Sequence, residues 1–427
     1  MTHRKQNKTI LAILIVFILI GLILRIDFLI SKLQDFNFVG DARNYLIMSR
    51  QLVDDGIYGY ALAHKSGHPN AYVTPGYPLI LSAAYALIRN PYLQVTAVRI
   101  LQVIAGGILS PLFAFLFVRR LFKRDGLALF TALFTAIYPT YVISSTYILT
   151  EVFSLTAMLL YFYLQTVSLQ DKKACPCVLA GLAFGVNVLI RPTMFPLLLL
   201  PFLFAFASWK KAERLALLKA FAYTASGVIA LMLPWWVRNF ITMHRFIPLS
   251  TGSGDPLLAG TYPYMTGLFQ DYLSEKVRVS ETAYAQKRIL EGFTSQPVLY
   301  FKWYTIGKLR SLFEKPWLYT QVIPASFIGL LVAKSHYFLH YFLIRMGILG
   351  TAIGVIKKDA ILYIGIYGAC FLGLLMIFIP ENRYAYHILF FLMLSASYAV
   401  CYIANALKIV WKKWLLRIRR PKQINPA

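Results

Sequence analysis

Apolar runs of near-membrane length recur along this whole chain, and no other feature limits its fold so tightly. About 20 mostly apolar residues cross the roughly 30 Å of hydrocarbon in a bilayer. Such runs stand at Thr9–Ile30, Val95–Val118, Gly126–Ser144, Leu149–Val167, Pro176–Ile190, Thr193–Ala207, Ala216–Val237, His336–Ile356, Ala360–Ile379 and Tyr386–Leu407. They are continuous, without the alternation of barrel strands, so helices are the expected spanning form. Of the 427 residues, 59% are hydrophobic and only 14% charged, too few charges for a soluble protein of this length. The expected fold class is all-α, a polytopic membrane protein of about ten transmembrane helices.

The net charge of +26 would invite a nucleic-acid reading were it gathered in one patch. It is not. Arg119, Arg120, Lys123 and Arg124 follow the second run, Lys172 and Lys173 the fourth, Lys210, Lys211, Arg214 and Lys219 the sixth, and Lys357 and Lys358 the eighth. With alternating spans all of these share one side with Arg4, Lys5 and Lys8 and with the basic tail from Lys408 to Lys422. The positive-inside rule makes that side cytoplasmic, together with both termini, and places the chain in the plasma membrane with no nucleic-acid partner. The fifth and sixth runs are short, about 22 Å each by helix rise. Merging them would put Lys210 and Lys211 outside, so parity favours two spans meeting near Arg191-Pro192. The first run is too long for a signal peptide and lacks a small-x-small cleavage site, so it is expected to stay as an anchor.

Four cysteines form neither a disulfide framework nor a metal pattern: Cys370 and Cys401 sit in apolar runs, and Cys175-Pro-Cys177 offers only two ligands. Two long segments face outward, 31–94 and 238–335, within a membrane domain of residues 1–407 that precedes the tail 408–427. No inverted repeat of the transporter kind is visible. In the first segment Tyr45, Met48 and Leu52 share a face of a short amphipathic helix that stops at Gly56, and a second helix over Leu79–Ile88 follows a proline-rich turn. The second segment breaks at Thr251–Pro256, then reads as helix over Leu268–Phe293 and Pro297–Phe313. The last of these interleaves aromatic residues with Lys302, Lys308 and Arg310, the pattern of a helix touching anionic lipid headgroups.

Asp41, just after the first span, lies on the outer side, where nucleotide sugars are absent and lipid-linked sugars are available. An Asp after Gly40 and before a helical run is an ordinary N-cap, or a base. Glu151 sits near the outer end of the fourth span, where an acid at membrane depth either serves a site or pairs with an arginine such as Arg99 or Arg191. Arg191, Arg238 and Arg383 each end a span on that side; guanidinium matches phosphate oxygens, although a terminal arginine also snorkels to headgroups. Lys302 and Lys308 share those two fates. Asp54-Asp55, the adjacent acidic pair, ends a surface helix and reads as solvated, so no metal is expected.

Several motifs, in order, resemble the GT-C superfamily of glycosyltransferases near family 39, whose relatives include protein mannosyltransferases and lipid A aminoarabinose transferases. They are Asp41-Ala42-Arg43-Asn44-Tyr45, Thr74-Pro75-Gly76-Tyr77-Pro78, Leu149-Thr150-Glu151, Gly181–Gly185 leading to Ile190-Arg191-Pro192, Pro234–Asn239 and Asn382-Arg383-Tyr384. The resemblance implies a GT-C fold with outer juxtamembrane helices capping the bundle. It further implies inverting transfer from a polyprenyl-phosphate sugar to a lipid glycan, polysaccharide or protein at the outer face, without a cofactor. Asp41 is then the base and Glu151 its support. Arg383, Arg238, Arg191, Lys302 and Lys308 are the donor-phosphate candidates, and Tyr45, Tyr77 and Tyr384 are further site candidates. Many members follow the catalytic Asp with Glu, whereas Ala42 stands here, so no second acid is assigned at that place.

A phosphate leaving group needs no strong general acid, so one carboxylate with fixed positive charge nearby suffices, unlike the two carboxylates of glycoside hydrolysis. The competing readings are a flippase or permease for a lipid-linked glycan, and a noncatalytic lipid-binding subunit. Transporters carry polar residues along the middle of several spans, whereas the ionisable groups here gather at one face.

Overall fold

The computed structural model describes residues 3–208, 214–266, 280–318 and 326–418. Lys210, Lys211, the stretch 268–279 of the expected loop helix and the tail beyond 418 lie outside the described residues. Helix occupies every expected span: α1 His3–Ser31, α4 Pro91–Phe122, α5 Asp125–Ile137, α6 Glu151–Asp171, α7 Ala174–Ile190, α8 Leu200–Ser208, α9 Arg214–Met243, α12 Phe327–Lys357, α13 Ile361–Leu375 and α14 Tyr386–Ile418. Between them lie α2 Gly40–Asp55, α3 Gly76–Ile88, α10 Glu281–Ser295 and α11, residues 297–313. Among the described residues six helices are long and apolar enough to cross a membrane, α1, α4, α6, α9, α12 and the one over Asn382–Leu415; α3, α5, α7, Pro192–Leu203 and α13 are shorter apolar helices.

Two of the boundaries that differ from the expected ones have a local reason. The third run was expected to reach Ser144, yet α5 ends at Ile137 because Pro139 holds Tyr138 extended, at φ −62° and ψ 123°. The carbonyls freed by that break are taken up by Arg25 of α1, which is fully buried and donates to Ala136 at 2.6 Å and to the hydroxyl of Ser145 at 3.1 Å. Arg191 is likewise extended ahead of Pro192, which ends α7 and starts a 3-10 turn into α8. The eighth run proves longer than its apolar stretch, since α12 begins at Phe327 with Ser326 capping the amide of Gly329 at 2.9 Å.

Close helix crossings set the frame of the bundle. A Cβ on Gly181 of α7 would collide with the carbonyl of Thr224 on α9, so only glycine allows these helices to touch. Aromatic pairs join α6 to its neighbours, Tyr161 against Phe184 of α7 at 4.8 Å and Phe162 against Tyr367 of α13 at 5.2 Å. At one end of the bundle Arg119 pairs with Asp125 at 2.7 Å, Arg120 with Asp171, and Arg124 with Asp359 at 3.2 Å. The opposite end carries the loops.

Those loops bind one another. The amides of Thr251 and Gly252 donate to the carbonyls of Ala71 and Tyr72 at 2.8 and 3.0 Å. Helix α2 ends as expected, with Gly56 in the left-handed region at φ 70°. It buries Tyr45, Leu46 and Met48 together with the polar Asn44, Ser49 and Gln51, so its inner face packs on protein. Helix α11 buries Trp303, whose indole donates to the carbonyl of Gly260 at 2.9 Å, and leaves Val298, Phe301 and Ile306 exposed.

Candidate active site

The start of α6 puts Glu151 at the loop end of the bundle, with its side chain only 1% exposed. A carboxylate so buried must be paired. Arg191 donates to its Oε1 at 2.6 Å, and Arg383 grips both oxygens through Nε and Nη2. The other terminal nitrogen of Arg383 donates to Asp41 Oδ2 at 2.6 Å. Arg99, the other partner considered for Glu151, instead donates to the carbonyls of Thr146, Lys32 and Asp35. One arginine from late in the chain thus bridges two acids from its first 151 residues.

Asp41 does not cap its own helix. The cap position is Val39, no side chain caps there, and Asp41 lies within the first turn. Its second oxygen accepts from the hydroxyl of Tyr60 at 3.1 Å, and Tyr60 in turn accepts from Asn44 at 3.0 Å. Burial, reinforced by the Asp41 charge, pushes the Tyr60 phenol well above its usual range and keeps it a donor. Its ring stacks on Tyr72 at 5.1 Å, whose hydroxyl donates to Asp255.

These groups border a cavity of about 730 Å³. Its lining combines polar side chains, Asp41, Tyr60, Tyr72, Asp255, Arg191 and Arg383, with apolar ones, Ile190, Pro196, Leu374, Leu375 and Phe378. Tyr45 and Tyr384 also line it, and Arg191 lies 5.2 Å from the Tyr384 ring. Glu151 sits behind the lining and holds the two arginines in place.

Four expected residues stand elsewhere. Arg238 ties α9 to the first loop, donating to the carbonyls of Asn70 at 2.9 Å and Tyr58 at 3.0 Å. Lys308 is fully buried and donates to the carbonyls of Met376, Ile377 and Phe378 at 2.8 to 3.2 Å, where it caps the end of α13. Burial draws its ammonium down to about 7. Tyr77 is buried with its hydroxyl on Gln102 at 3.1 Å, and Lys302 is exposed on α11. The Arg238 and Lys308 contacts bear on the site because they hold chain next to Tyr60 and Tyr72 and at Phe378, which line it.

Sequence reasoning missed Tyr60, Tyr72, Asp255 and Glu381 as cavity residues. For the first three no periodicity or motif marks them. Glu381 could have been found, since it stands two residues before Arg383 in the same turn. Among the described residues no group of three or more His, Cys, Asp or Glu side chains gathers as a metal site.

Residues 68–237 match the family model of the dolichyl-phosphate-mannose-protein mannosyltransferases. The match covers less than half of the 427-residue chain. The matched stretch contains Glu151 and Arg191, while Asp41 and Arg383 lie outside it. In fold the chain is similar to the oligosaccharyltransferase of Archaeoglobus fulgidus tethered with an acceptor peptide, with a TM-score of 0.55 and 15% identity over 94% of this chain and 50% of that one. The same archaeal protein in complex with zinc and sulfate gives 0.50 and 16% over 95% and 51%. The chain spans about half the length of that oligosaccharyltransferase. Crystalline ArnT from Cupriavidus metallidurans bound to undecaprenyl phosphate aligns at 17% identity over 96% of this chain and 80% of that one, with a TM-score of 0.40. None of the curated proteins matches the chain in sequence.

Proposed function

We propose that this protein is a membrane glycosyltransferase that moves a sugar from a polyprenyl-phosphate donor to a cell-envelope acceptor at the outer face of the membrane, with inversion and with Asp41 as the base. The observation that carries the reading is the ion pair of Asp41 with Arg383 on the wall of a cavity lined by both charged and apolar side chains. A polyprenyl phosphate likewise joins an anionic group to an apolar chain. The isoprenoid chain suits the wall of Leu374, Leu375 and Phe378, and the phosphate suits the arginines.

In the chemical step an acceptor hydroxyl attacks the anomeric carbon and gives its proton to Asp41. The bond from that carbon to the phosphate oxygen breaks, and polyprenyl phosphate leaves with the electron pair. Arg383 has two duties in this scheme. Without donor it neutralises Asp41; with donor, a phosphate oxygen competes for the same Nη1, which frees Asp41 Oδ2 to accept a proton. Tyr60 keeps its hydrogen bond to Oδ1 throughout and orients the carboxylate.

The outer location rests on charge. Arg119, Arg120 and Arg124 gather at the end of the bundle away from Asp41, and the positive-inside rule makes that end cytoplasmic. The ten-span topology follows with α7 and α8 as two short spans. The exposed Val298, Phe301 and Ile306 beside Lys302 then lie against the outer headgroups.

The test is release of polyprenyl phosphate from a panel of radiolabelled polyprenyl-phosphate hexoses and pentoses in detergent. Wild type should turn over at least one of them. Asp41→Asn should lose about 10²–10⁴-fold in rate, the usual contribution of a positioned base. Equal turnover by the two proteins removes Asp41 from the mechanism.

A further inference from the structure

Among the described residues lining the cavity, Glu381 is the one carboxyl group with neither an ion pair nor a hydrogen bond on its side chain. Asp41 has Arg383 and Tyr60, and Asp255 has Tyr72. Glu381 follows the buried Pro380, and its backbone carbonyl accepts from the amide of Tyr384 at 2.9 Å. Glu381, an exposed residue that lines the cavity, therefore stands at the head of the turn that carries Arg383.

Charge counting makes this placement informative. Facing Glu381 are Arg383 and Tyr384 from its own turn, Asp41 from α2, Glu151 from α6 and Arg191 from the end of α7. The two arginines are already matched by Asp41 and Glu151. An ionised Glu381 is a surplus negative charge on the wall where a phosphate, itself an anion, would have to sit. Two like charges sharing a site force one of them to take up a proton.

We infer that Glu381 serves the donor phosphate as a neutral carboxyl, donating an O–H hydrogen bond to a phosphate oxygen beside Arg383. This inference rests on the donor reading proposed above. The proton stays on the carboxyl, so nothing is transferred and the group is unchanged after turnover. Desolvation pushes the Glu381 carboxyl above its ordinary range; Arg383 pulls it back, and Asp41 raises it again. An arriving phosphate adds a further push in the same upward direction. The consequence is a site that prefers phosphate at mildly acid pH and resists it as Glu381 ionises.

The experiment measures binding of a short-chain polyprenyl phosphate to the full chain in detergent micelles, from pH 5.5 to 8.5, for wild type, Glu381→Gln and Glu381→Ala. Glutamine keeps a neutral donor, so at pH 5.5 it should match wild type within about twofold. Alanine should there bind about 10- to 100-fold more weakly, the worth of one hydrogen bond to a charged group. Towards pH 8.5 wild type should weaken relative to Glu381→Gln by about tenfold or more, because only wild type can ionise. The free phosphate's own titration is common to all three proteins and cancels in these ratios. A purely structural role would not make the wild-type and glutamine curves diverge with pH.

Three results overturn the inference. Glutamine as damaging as alanine at every pH would mean that the ionised carboxylate is what the site uses. Alanine equal to wild type throughout would mean no contact. Tightening by magnesium in wild type but not in Glu381→Gln would mean that Glu381 recruits a cation. If the alanine protein does not fold, the divergence of wild type from glutamine with pH still decides. Failure of wild type to bind the probe at any pH sinks the donor reading itself, a different outcome from the other three.

Discussion

Replacing Arg383 with alanine tests the network and the chemistry together, and the two effects separate. Arg383 contacts both oxygens of Glu151, whose side chain is 1% exposed, and one oxygen of Asp41, which is 43% exposed. Removing one partner of a buried ion pair costs about 3–5 kcal/mol, mostly from the charge left behind. Here Glu151 keeps Arg191 at 2.6 Å, and water can reach Asp41. The stability loss should therefore fall to about 2–3 kcal/mol, below the full cost of an orphaned buried charge. Adding Glu151→Gln removes the charge that Arg383→Ala strands, so the double variant should be more stable than the sum of the singles by about 1–3 kcal/mol. The assay is thermal unfolding in detergent of wild type, both singles and the double. Strict additivity would refute the claim that Arg383 chiefly offsets the Glu151 charge. Donor turnover is a separate readout. If Arg383 contacts the departing phosphate, both Arg383 variants lose about 10²–10³-fold, a typical value for one preorganised donor. A normal donor Michaelis constant and rate in Arg383→Ala would refute the phosphate contact.

Other perturbations probe the supports. Arg238→Ala should loosen the first loop by about 1–3 kcal/mol through its lost carbonyl contacts; limited proteolysis near Tyr58 and Asn70 should accelerate, with less effect on donor use than Arg383→Ala produces. Burial lowers Lys308 from 10.5 to about 7, so the unfolded chain binds that proton more tightly. Its contribution makes stability rise as pH goes from about 7 towards 10.5. Lys308→Met should flatten that rise in unfolding scans, and should lower stability overall by leaving the end of α13 uncapped. Gly181→Val should separate α7 from α9 and abolish recovery of monodisperse protein, because the collision is with the backbone of Thr224 and no side chain can yield.

Fold class was written in the sequence because hydropathy is local and additive. A run such as Tyr386–Leu407 announces a helix without reference to any other part of the chain, and Pro139 and Pro192 mark breaks through their immediate neighbours. Residues carrying charge at the loop end were legible for the same reason: Asp41, Glu151, Arg191 and Arg383 all stand where a span meets an outer segment. What each of them does was not. Asp41 and Arg383 are 342 positions apart, and Glu151 and Arg383 are 232 apart. No spacing rule reaches that far, so a cap, a snorkelling arginine and a member of an ion-pair network look alike until the chain is folded. Arg238 and Lys308 share the sequence signature of Arg383, yet packing turns them onto backbone carbonyls and away from the cavity. Desolvation explains the difference. A buried cation takes whichever acceptor lies within reach, and only the tertiary structure decides whether that acceptor is a carboxylate on the cavity wall or the frayed end of a neighbouring helix.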